Sequence, residues 1–151
     1  MSISDKVIEI LKSHREYVKR INRVENEISK AITNSKEAYS KFLALENVIA
    51  AVYFAIDLIE YLEDSFKKHC ELFTPIERER EFIILRMNLQ EIINKKKALV
   101  KVLKKYRVRA LPIEKVAEEV SEEITILKWL IENHVSYERL LIRKIKFHKN
   151  G

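Results

Sequence analysis

The chain's stock of acids, bases and metal ligands is four histidines, one cysteine and 23 acidic residues. Three positions before His14, His69, His134 and His148 stand Leu11, Phe66, Ile131 and Ile145, so the Glu-x-x-His pair that marks carboxylate di-iron bundles is absent. The sequence also lacks a Cys-x-x-Cys pair, a haem attachment motif, a His-Glu-x-x-His pair and a glycine-rich nucleotide loop. One constellation remains. His134 and Glu138 are four apart on one helix face, and imidazole plus carboxylate suits zinc, iron or manganese if Glu63 or Glu60 joins them. The same residues can instead form a hydrogen-bonded polar layer that fixes helix register, with His14 and Glu9 nearby and Arg86 pairing the carboxylates. The layer is the reading adopted here, so no catalytic residue, metal or cofactor is expected.

A second chemistry is electrostatic. Residues 75–111 carry eleven Lys and Arg against four Asp and Glu, which accounts for the formal net charge of +6 over the whole chain. The excess is densest where Lys95, Lys96, Lys97, Lys101, Lys104, Lys105, Arg107 and Arg109 occur without one acidic residue among them. Such a one-sign cluster on a rigid helix neutralises phosphates, and Tyr106 within it can stack on a base. The competing use of the same lysines is to pair across a hairpin with Glu114, Glu118, Glu119, Glu122 and Glu123, which open the segment that follows.

Near the C-terminus, Arg143-Lys-Ile-Lys-Phe-His148 resembles the Arg-x4–6-His motif of HEPN-type ribonucleases, which are small helical bundles that dimerise. The resemblance covers six residues, and Lys144 stands where the family usually has a polar residue after the arginine. It implies RNA cleavage by Arg143 and His148.

The elements that must position these groups are helices. One glycine and two prolines leave almost nothing for tight turns, which argues against strand-rich folds. In 7–31 a heptad places Val7, His14, Ile21 and Ile28 at one core position and Ile10, Tyr17, Val24 and Ala31 at the other. Ser2 or Ser4 can cap this first helix, and Ser35 can open the next. The second helix reads as a heptad through Phe42, Leu45, Ile49, Val52, Ile56, Ile59, Phe66 and Cys70. Thr74, Pro75 and Glu77 have the spacing of a capping box that starts a third helix, and Pro112 ends that helix. Helices over about 3–33, 36–73, 75–109 and 112–147, joined by short loops, predict one all-α domain over 1–151. Its architecture is an elongated antiparallel up-down-up-down four-helix bundle on the order of 45 Å long.

The stretch from Leu43 to Leu62 is apolar round most of its circumference. Glu46, Asn47, Asp57 and Glu60 bracket its apolar run, which is shorter than the roughly 20 residues a bilayer requires, so no membrane partner is expected. Its extra face, Val48, Ala51, Tyr53, Phe54, Ala55 and Leu58, exceeds what one bundle seam needs and predicts a homodimer; central burial is the alternative. Twenty isoleucines, one glutamine and 34% charged residues resemble a heat-adapted composition. The lone Cys70 and a charged N-terminus point to the cytoplasm. Together these features predict a non-enzymatic binding protein that contacts nucleic acid or a nucleoprotein assembly through the basic third helix, with a protein-only adaptor or assembly subunit as the alternative.

Overall fold

The computed structural model describes residues 2–150, with side chains as far as Ile145. Four helices, α1 (Ile3–Ser35), α2 (Lys41–His69), α3 (Arg80–Arg109) and α4 (Ile113–Asn150), run up and down as an antiparallel bundle, and no strand occurs among the described residues. Short 3-10 segments, Ala38–Ser40 and Cys70–Ile76, join the first three. Neighbours in sequence pack side by side, α1 also lies against α4, and α2 reaches α4 across the bundle. At 1.5 Å per residue α1 alone is about 50 Å long.

α1 follows its heptad closely. All eight expected seam residues are buried, because each falls on the stripe that faces α2 and α4. Its start is capped as expected, the Ser2 hydroxyl accepting from the Asp5 amide at 3.1 Å. Its end differs. Ser35 is the last residue of α1 and does not open the next helix: its Oγ donates to the Ile32 carbonyl at 2.8 Å, satisfying one of the carbonyls a helix end leaves free.

The α2–α3 boundary also departs from expectation. Thr74 caps nothing, Pro75 lies inside the 3-10 segment, and α3 begins only at Arg80. Burial explains this. Leu72, Phe73 and Ile76 are drawn into the core, with Phe73 against Phe82 at 6.0 Å between ring centroids. Three such side chains contribute about 1.5–3 kcal/mol each, against about 1 kcal/mol for one cap. The α3–α4 turn is the expected one: Ala110 adopts a left-handed φ of 49° and Pro112 follows, its carbonyl accepting the first free amides of α4 from Lys115 and Val116.

α2 corrects the largest expectation. Val48, Ala51, Ala55 and Leu58, assigned by sequence to a dimer face, are completely buried within the single chain, as are Ala44 and Leu62. These residues, at alternating spacings of four and three, form the true seam, and the alanines let neighbouring helices approach closely. Phe54 is half-buried beneath the Arg23 guanidinium, 4.0 Å from its ring centroid. Of the predicted dimer face only Tyr53 is left exposed. The heptad expected to be the core seam is split: Val52, Ile59 and Phe66 are buried as expected, whereas Phe42 is exposed and Leu45, Ile49, Ile56 and Cys70 are half-buried. An 18-residue stretch of this segment has a mean hydropathy of 1.9, enough by length and composition to cross a membrane, yet only 39% of it is buried in the fold.

Candidate functional site

Two places in the bundle concentrate chemistry. The first is a polar layer in the core. Glu138 on α4 is completely enclosed, and two imidazoles converge on its Oε1, His14 Nε2 from α1 at 2.9 Å and His134 Nε2 from the preceding turn of α4 at 3.1 Å. An ionised carboxylate only accepts, so His14 donates from Nε2. The His134 nitrogen lies within reach but off the hydrogen-bonding line, and the Nδ1 atoms of both rings have no partner. Burial alone pushes the Glu138 carboxyl up. The adjacent His134 imidazole and the hydrogen bond from His14 outweigh it, holding the group down at about 2.

Aromatic rings wall this layer. Tyr17 packs between the two imidazoles, with centroids 5.9 Å from His14 and 6.2 Å from His134, and Phe66 closes over His134 at 6.0 Å. Burial, followed by the Glu138 charge, raises the Tyr17 phenol well above its ordinary range, so it stays neutral. Further out, Ser65 donates to Ser13 at 2.8 Å, and buried His69 lies 3.5 Å from Glu9. Desolvation lowers the His69 pKa against the opposing pull of Glu9. A cavity of about 190 Å³ touches Ser13, Ser65 and His69 but not His14, His134 or Glu138.

The sequence brought His14, His134 and Glu138 together correctly and misplaced three companions, of which Glu60 is exposed on α2. Glu63 lies outside the layer, between Lys67 and Lys96 at 3.6 Å each. Arg86 is exposed and pairs with no carboxylate among the described residues. Tyr17 was visible as a core position, but its contact with the imidazoles was not. His69 and Glu9 meet across α1 and α2, and no spacing within either helix signals that.

No group of His, Cys, Asp or Glu among the described residues is arranged to hold a metal ion. Prolonged dialysis against a chelator should therefore leave the thermal midpoint unchanged. A fall of many degrees would identify the layer as a metal site.

The second place is the α2–α3 side. Lys95 reaches Glu123 at 2.8 Å and Lys96 reaches Glu63 at 3.6 Å. Lys97, Lys101, Lys104, Lys105, Arg107 and Arg109 form no ion pair among the described residues, where of the five glutamates that could pair across the hairpin only Glu123 does so. Tyr106 is half-buried against the core, which withdraws much of its ring from any base.

Between the two helices runs an open groove. One part, about 410 Å³, is floored by Leu45, Ile49, Ile56, Val100 and Leu103 and bordered by Tyr53, Lys104, Tyr106 and Arg107. The other, about 550 Å³, continues past Ile56 and Val100 to Lys96, Lys97 and Lys101. Lys105 and Arg109 lie outside its lining. Arg143 is exposed at the far end of α4, and the His148 side chain lies outside the described residues. No protein-family model, curated protein or solved structure matches the chain, so the reading of both places rests on their own geometry.

Proposed function

We propose that this chain is a non-enzymatic binding protein that associates with nucleic acid, alone or within a nucleoprotein assembly, through the exposed cations of α3. The observation that supports this reading is the unpaired set Lys97, Lys101, Lys104, Lys105, Arg107 and Arg109, six charges of one sign on a single long helix. Cations that find no internal partner keep their full field, and a polyanion whose condensed counterions they displace into solution gains affinity without sequence readout. The buried layer offers no rival chemistry, since an imidazole–carboxylate pair enclosed on all sides cannot meet a substrate.

If about five of these cations displace counterions from a duplex, log affinity should fall against log salt with a slope near −4.5 and depend little on base sequence. Fluorescence anisotropy with single-stranded and duplex DNA and RNA at two salt concentrations measures this. The double variant Lys105→Glu, Arg109→Glu, changed at two exposed or half-exposed positions outside the groove, should lose at least about tenfold in affinity and keep its helicity. Absence of binding at about 50 mM salt, where such contacts are strongest, would remove the reading. A protein-only adaptor or assembly subunit is the second reading, favoured by one observation: the apolar floor of the α2–α3 groove, which nucleic acid does not require.

A further inference from the structure

We infer that the α2–α3 groove is a dimer interface whose occupant is α2 of a second copy, running parallel to the first about a two-fold axis along the bundle. This goes beyond the nucleic-acid reading and does not depend on it, but the two share a surface: in the dimer Lys97, Lys101, Lys104 and Arg107 face the partner's carboxylates, and Lys105 and Arg109 of each copy, four cations in all, are the ones left to a polyanion.

α2 carries two apolar stripes. The inner one is consumed by the bundle. The outer one, Phe42, Leu45, Ile49, Tyr53 and Ile56, repeats at spacings of three and four over about four turns. Phe42 is 74% and Tyr53 62% exposed, while Ile49 on α2 and Val100 on α3 are half-buried without joining the core cluster. A stripe with this period is the pattern by which one helix receives another.

Charge selects the occupant. One wall of the groove is α3, with unpaired Lys97, Lys101, Lys104 and Arg107. The incoming helix must therefore be apolar toward α2 and acidic toward α3. α2 itself meets both demands: beyond its outer stripe, on the side away from its own α3, come Glu46 and Asp57, both exposed and unpaired among the described residues. Residues 35–74, which contain α2, hold seven acidic against four basic residues, whereas 75–111 hold the basic excess.

Geometry selects the orientation. In an antiparallel pairing about this seam both α3 helices would fall on the same side of it and set their unpaired cations against one another. A parallel pairing places them on opposite sides. Ile56 shares the groove with Lys97 and Val100, and Leu45 shares it with Tyr106 and Arg107. A parallel second copy thus brings its Asp57 to the level of Lys97 and Lys101, and its Glu46 to that of Lys104 and Arg107. Like residues of the outer stripe then meet across the axis, as in a parallel two-stranded coiled coil.

Sedimentation equilibrium of the full chain should give about twice the 18.0 kDa chain mass at micromolar concentration. Ile56→Glu should weaken dimerisation at least about 100-fold while the far-UV spectrum stays helical. Should Ile56→Glu unfold, Tyr53→Lys, at an already exposed position, should weaken it at least about tenfold. In a Cys70→Ser background, Ile49→Cys should cross-link to a covalent dimer on mild oxidation, because a parallel two-fold seam brings equivalent stripe residues within disulfide reach. Trp129→Cys, exposed on α4, should not. A monomeric wild type at about 100 μM, a dimer indifferent to both Ile56→Glu and Tyr53→Lys, or failure of Ile49→Cys to cross-link would each overturn the inference. The Lys105→Glu, Arg109→Glu variant should remain dimeric, so loss of nucleic-acid binding and loss of dimerisation are separately readable.

Discussion

Glu138→Ala should destabilise the fold by about 3–5 kcal/mol, because it leaves two buried imidazoles converging on a vacated site. In a chain of this length that corresponds to a fall of roughly 10 °C in thermal midpoint. Replacing His14, His134 and Glu138 together by leucine removes all the desolvated polar groups at once and should cost far less than the single change, or nothing. This non-additivity is what a coupled layer requires. The pH dependence has a definite sign. The Glu138 carboxyl is held at about 2 in the fold against an ordinary 4.5, so the unfolded chain takes up the proton first as acid is added. The stability it contributes is complete above about pH 4.5 and is lost as pH falls toward 2, on the order of 3 kcal/mol in all. Glu138→Gln lacks this component and should give a flatter acid limb in urea titrations between those limits. An acid limb identical to that of the wild type, or a Glu138→Ala cost under about 1 kcal/mol, would show that the layer contributes little to stability.

What could be foreseen in this chain depended on how many neighbours a helix has. α1 lies at a corner of the bundle and buries one stripe, so its apolar residues mark that stripe without ambiguity and the heptad from Val7 to Ala31 is the buried set. His14 and Glu138 follow from the same regularity, since each takes a position that an apolar residue should hold. α2 is apolar on two adjoining stripes, and periodicity alone does not rank them. The heptad through Phe42, Leu45, Ile49, Val52, Ile56 and Ile59 runs along the border of the two, and the bundle buries Val52 and Ile59 of it while leaving the others toward the groove. The rest of the buried side takes small and large side chains alike, Ala44, Ala51 and Ala55 beside Val48, Leu58 and Leu62. The basic run was evident from composition. That its lysines bypass Glu118, Glu119 and Glu122 depends on the rotation of α4 about its axis, which is set by buried Val116, Val120 and Ile124 and not by charge.

Ala51→Leu is the sharpest test of that assignment, with an expected cost of about 1–3 kcal/mol. Ala51 is completely buried among seam residues, where Ala55 and Leu58 are equally inaccessible, so three added carbons have no void to enter. They must displace a neighbouring helix or force strained rotamers, and a close-packed interior yields to neither cheaply. Were Ala51 on a solvent-facing or dimer-facing surface, the same change would improve helix propensity only slightly and alter stability within about 0.5 kcal/mol. The control lies two residues on: Tyr53→Ser, at a position 62% exposed, should stay within that smaller range in the monomer while removing apolar surface from the groove. Urea denaturation of the two variants at a concentration below dimerisation separates the stripes. A neutral Ala51→Leu beside a costly Tyr53→Ser would mean that the helix is rotated so that the outer stripe is the core.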